Sequence, residues 1–97
     1  MATPAPTLNL PTDKTLLHAA RIAVEQDKPI LLDYWTCSLE KTARIGVKED
    51  NEKLLVKSEE EYTSPISKIF KVGKEYIIMT ENSIYIVDVA IPTNRIS

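Results

Sequence analysis

The sequence predicts an α+β fold: one N-terminal amphipathic helix packed on an antiparallel β-meander or small barrel of about five to six strands. Three observations carry that expectation. Apolar residues recur at helical spacing over one stretch only, between Thr12 and Asp27. From Pro29 onward the pattern changes to apolar runs and period-two alternation. Turn chemistry then punctuates the chain at short intervals, which makes successive strands antiparallel neighbours.

The helix begins at Thr12, whose hydroxyl suits an N-cap, with Asp13 favourably placed in the first turn. Leu16, Leu17, Ala20, Ala23 and Val24 form the stripe expected to face the core. His18, Arg21 and Glu25 lie on the other side, Arg21 and Glu25 being an i,i+4 pair. Pro29 biases Lys28 away from helical geometry, so the helix is expected to end near Asp27. The run from Ile30 to Thr36 is almost continuously apolar and reads as a strand covered on both faces.

Ala43 to Glu49 alternates with period two, Asp50-Asn51-Glu52 supplies a turn, and Lys53 to Lys57 returns as the second arm of a hairpin. Glu59-Glu60-Glu61 interrupts the pattern with like charges that favour water. Ser64-Pro65 opens an extended segment through Val72, and Gly73-Lys74 reads as a tight turn with positive φ at the glycine. Glu75 to Thr80 and Ile84 to Val89 follow as strands around the turn Glu81-Asn82-Ser83, and Pro92 is expected to end the pairing. No second helix is expected, and therefore no parallel crossover.

The length of 97 residues allows one domain, read as 12–97, preceded by an arm over 1–11. That arm, MATPAPTLNLP, carries three prolines and favours extended structure. The net charge of −2 provides no bulk basic field for nucleic acid phosphates. One cysteine cannot form an internal disulfide, which favours a reducing compartment. No apolar run approaches the ~20 residues of a membrane span, and the N-terminus lacks the apolar stretch of a signal peptide. The expected setting is the cytoplasm or nucleus.

Asp27 to Cys37, DKPILLDYWTC, resembles the active-site strand of a thioredoxin, yet the chemistry does not follow. Position 40, where a second cysteine would complete C-x-x-C, is Glu40, and a lone thiol has no resolving partner. Cys37 is therefore expected as a small, partly buried packing residue. A single histidine and a single cysteine, His18 and Cys37, do not make a metal site, and the acidic turns lack the calcium-loop pattern. With only Gly46 and Gly73, no glycine loop can cradle phosphates. Asp33 and Asp88 stand inside apolar runs, where such residues usually cap a strand or bond a neighbouring hydroxyl. No catalytic residue and no cofactor are expected.

Two segments, KPILLDYW (Lys28–Trp35) and EEYTSPISKIFKVGKEYIIMTENSIYIV (Glu60–Val87), resemble a small uncharacterised domain encoded by nucleocytoplasmic large DNA viruses. The resemblance covers about two-thirds of the chain, leaves the arm outside, and implies a viral protein, a small component of the particle, in the cytoplasm or nucleus of a host cell or in the virion. The functional expectation is thus a non-enzymatic structural or interaction module, a minor capsid or cement-like part that binds a protein partner or itself. Its anchoring arm would use Pro4, Pro6, Leu8, Leu10 and Pro11. The alternative is a β-rich module that recognises a peptide or single-stranded nucleic acid through Lys68, Lys71 and Lys74. Phe70, between Ile69 and Val72, is expected in the core rather than on that surface.

Overall fold

The computed structural model describes residues 10–96. Among them the chain forms two helices and seven strands. Helix α1 spans Asp13–Gln26. Thr12 caps it, its hydroxyl accepting from the Thr15 N–H, and Asp27 ends it in the left-handed region at φ 54°, with the Lys28 N–H closing on the Ala23 carbonyl. The buried face is only in part the expected one: Leu16 and Ala23 pack on the core, while Leu17, Ala20 and Val24 do not. Thr15 and Ala19 are fully buried and Leu16, Ile22 and Ala23 partly so, whereas Leu17 is 55% and Val24 83% exposed. The stripe was displaced around the helix because Thr15 and Ala19, small or polar, do not register as apolar anchors.

The run Ile30–Thr36 splits. Strand β1 holds only Ile30–Leu31, and helix α2 occupies Asp33–Leu39. Tyr34, Trp35 and Ser38 are buried while Asp33, Thr36 and Leu39 are exposed, a helical alternation that a strand could not produce. The Ser38 hydroxyl donates to the Trp35 carbonyl at 2.6 Å and accepts from the Asp88 N–H at 3.0 Å, tying α2 to the sheet. Lys41, at φ 63°, turns the chain out of this second helix.

The remaining strands are β2 (Arg44–Val47), β3 (Lys53–Val56), β4 (Tyr62–Val72), β5 (Glu75–Thr80), β6 (Ile84–Asp88) and β7 (Thr93–Arg95). They form one open sheet in the order β1-β6-β5-β4-β3-β2-β7, so the barrel alternative does not hold. The middle, β2 to β6, is the expected antiparallel meander, with Gly73 at φ +59° in the β4–β5 turn. Both edges are parallel: β1 pairs with β6 and β7 with β2. Pro92 therefore does not end the pairing. It stands immediately before β7, a position where a strand tolerates the missing donor, and its carbonyl accepts from the Ile45 N–H at 2.9 Å.

Strand β4 belongs to two half-sheets, pairing with β3 through its first residues and with β5 through its last, with a register shift in each ladder. Alternation in β5 and β6 divides the core. Ile77, Met79, Ile84 and Ile86 pack with Ala19 of α1 and with Trp35. Ile78, Tyr85 and Val87 pack with Tyr34, Ile45, Leu55 and Ile91. Helix α2 thus sends adjacent side chains, Tyr34 and Trp35, into different clusters. Helix α1 packs against β1, β5 and β6, and Phe70 on neighbouring β4 remains 37% exposed rather than joining the core. None of the described helices is long and apolar enough to cross a membrane.

Candidate functional site

The β2–β3 hairpin turns Ile45 and Leu55 into the core, so its other face carries Arg44, Gly46, Leu54 and Val56. The registers place Arg44, Val56 and Tyr62 side by side across three strands. Above them lies a groove of about 460 Å³, floored by Leu54, Val56 and Ile96. Arg44 and Tyr62 flank Val56, while Lys48 lies toward one end and Glu59 toward the other. Gly46 is needed beneath Ile96: a β-carbon there would come 2.6 Å from Ile96 Cδ1 and 3.0 Å from Val56 Cγ2. Lys48 is engaged with Glu52 at 3.4 Å. Arg44 is half-buried as a residue, its guanidinium nitrogens reach solvent, and it has neither ion pair nor hydrogen bond among the described residues.

Beside the groove runs one edge of the sheet, strand β7, whose outer side no described residue covers with a hydrogen bond. In the β2–β7 ladder the Ile45 N–H donates to Pro92 and the Ile96 N–H donates to Val47 at 3.0 Å. Alternation directs the backbone groups of Thr93 and Arg95 the opposite way, outward from the sheet. All three residues of β7 are exposed.

A second polar cluster surrounds α2. Lys57 Nζ lies 4.8 Å from the Tyr34 ring centroid, 3.5 Å from Asp33 Oδ2 and 3.7 Å from Glu61 Oε2. Burial, with Asp33 the largest of the neighbouring charges, pushes the Tyr34 phenol up to about 12. Burial works to lower the Lys57 ammonium, but Asp33, Cys37 and Glu61 together hold it above its ordinary value. Cys37 is half-buried against the same cluster. Tyr85 meets Tyr34 edge-on at 5.2 Å. This arrangement anchors α2 on the sheet.

The third feature is Glu75, a carboxylate only 6% exposed at the start of β5. It accepts from the Thr12 N–H and hydroxyl and from the Thr15 hydroxyl, holding the N-terminal end of α1 to the sheet. Its partners lie about sixty positions away, so no local pattern announces it. The Arg44–Tyr62 groove is equally invisible, because its members come from three strands, the two loops that join them and the residue after β7.

The three lysines do not form one surface. Lys68 shares a face with Phe70, Lys71 lies on the opposite face by alternation, and Lys74 is in the β4–β5 turn. Pro4, Pro6 and Leu8 lie outside the described residues; Leu10 is 60% exposed and Pro11 is buried in the body. Asp33 is in the first turn of α2, and Asp88 accepts from the Ala90 N–H at 2.7 Å. No metal-ligating group of three or more occurs among the described residues. No protein-family description, curated protein or solved structure matched the chain.

Proposed function

We propose that this protein is a non-enzymatic interaction module that accepts an extended segment of a protein partner as an added strand on β7. The supporting observation is the outward direction of the Thr93 and Arg95 N–H and C=O groups on a fully exposed edge. Such groups are a ready template for another strand. The likeness of Lys28–Trp35 and Glu60–Val87 to a domain of large DNA viruses supports placing that partner in a viral assembly, where this chain would act as cement. The N-terminal arm with Leu10 is a second anchor in this reading; Pro11 instead belongs to the body.

The test uses peptides selected from a random-sequence display library on the immobilised full chain. Arg95→Pro removes an outward N–H and leaves the inward ladder intact. Selected peptides are expected to lose binding to R95P and to lose it again when their own alternate amides are N-methylated. Failure to select any peptide, or binding that survives both changes, rejects strand addition.

A further inference from the structure

We infer that the groove over Val56 is a separate recognition site for the C-terminal residue of a peptide, one with an apolar or aromatic side chain. The inference does not rest on strand addition at β7. Three observations carry it. First, Arg44 stands at the groove wall with neither ion pair nor hydrogen bond among the described residues, and a guanidinium fork matches a carboxylate in two parallel hydrogen bonds. Second, the floor is apolar, and the volume of about 460 Å³ falls in the range of small-ligand sites. Third, Arg44 and Val56 are cross-strand partners on one face, so their side chains start about 5 Å apart.

The last observation selects the ligand. Its carboxylate and its apolar group must lie equally close together. Within an extended chain, an acidic side chain shares a face only with residues two positions away, about 7 Å along the strand. A C-terminal residue brings the two groups closer, because its carboxylate and side chain leave the same α-carbon. The apolar side chain then rests on Leu54, Val56 and Ile96 beside the Tyr62 ring, with the carboxylate on Arg44. Glu59, toward the far end, accepts the backbone N–H groups of the preceding residues. A free arylalkyl acid shares the carboxylate chemistry but has no such donors to offer Glu59.

The experiment titrates the full chain with acetyl-Gly-Gly-Phe bearing a free C-terminus, with its C-terminal amide, and with 3-phenylpropanoate, following backbone amide shifts by NMR. The free-acid peptide is expected to bind about tenfold tighter than the amide, as a charge-assisted pair implies. Shifts should centre on Val56, Tyr62 and Ile96. Arg44→Gln should bring the free acid down to the level of the amide while leaving the amide unchanged. Raising the salt on the unmodified protein should weaken the acid and spare the amide, a check independent of how the variant folds. Equal binding of acid and amide, or shifts centred elsewhere, overturns the site. Binding of 3-phenylpropanoate as tight as that of the peptide overturns the assignment to a chain terminus.

Discussion

Ile96 occupies the space that any side chain at Gly46 would claim. With a β-carbon 2.6 Å from Ile96 Cδ1 and 3.0 Å from both Ile96 Cγ1 and Val56 Cγ2, something must move. The isoleucine can swing, and β7 goes with it. Gly46→Ala is therefore expected to cost about 1–2 kcal/mol, within the range for overpacking. It should also speed hydrogen exchange at the Ile96 amide, which donates to Val47, well before that of Ile86 in β6. Unchanged stability with unchanged exchange at Ile96 would show that the contact is not a constraint.

Glu75 gives the second prediction. Glu75→Ala strips the buried Thr15 hydroxyl, and the part-buried Thr12 N–H and hydroxyl, of this acceptor. A loss of about 2–3 kcal/mol is expected, since several donors are left unpaired at once. Glu75→Gln keeps a carbonyl oxygen and should cost less. Urea denaturation followed by circular dichroism distinguishes the two; equal stability of all three proteins would contradict the assignment.

The face of α1 is tested by a contrasting pair. Ala19 is fully buried against Trp35 and Ile77, so Ala19→Leu is expected to cost about 1–3 kcal/mol through overpacking. Val24→Lys on the exposed side should stay within about 0.5 kcal/mol. The reverse ranking would restore the stripe that periodicity alone suggests.

The Tyr34–Lys57 pair predicts an alkaline limit. Both groups have folded values raised above their ordinary ones, so folding favours their protonated forms. The stability they confer is complete below the unfolded values near 10 and is lost as pH rises through the folded values. The urea midpoint should fall from about pH 10 upward, and Tyr34→Phe should flatten that fall. Absorbance at 295 nm should show one tyrosine ionising near 12. A midpoint independent of pH between 9 and 12 would remove the pair from the stability of the fold.

Local chemistry made the middle of the fold legible. The Thr12 cap, the Asn51 and Gly73 turns at φ 67° and φ 59°, and the alternation from Arg44 to Asp88 all act within a few residues. Tertiary packing decided the rest. DYWTCSL has strand-forming residues, yet burying Tyr34, Trp35 and Ser38 on both clusters makes it a helix. The parallel edges depend on partners far along the chain, as with Ile30 and Ile84. Of the candidate groove, only single residues could be seen in advance. Arg44 carries no sign in sequence that its guanidinium has no partner among the described residues.

The two parallel edges also set a timetable for synthesis. As the chain leaves the ribosome, β2, β3 and the following strands can pair almost as soon as each emerges. Strand β1 must wait for β6, more than fifty residues later, and the outer side of β2 stays uncovered until β7 has been made. Until Ile91 arrives, the cluster around Tyr34 also lacks one of its members. Folding in chain order therefore closes with residues 91–96, and a chain cut short before them would present β2 as an open, pairing-competent edge.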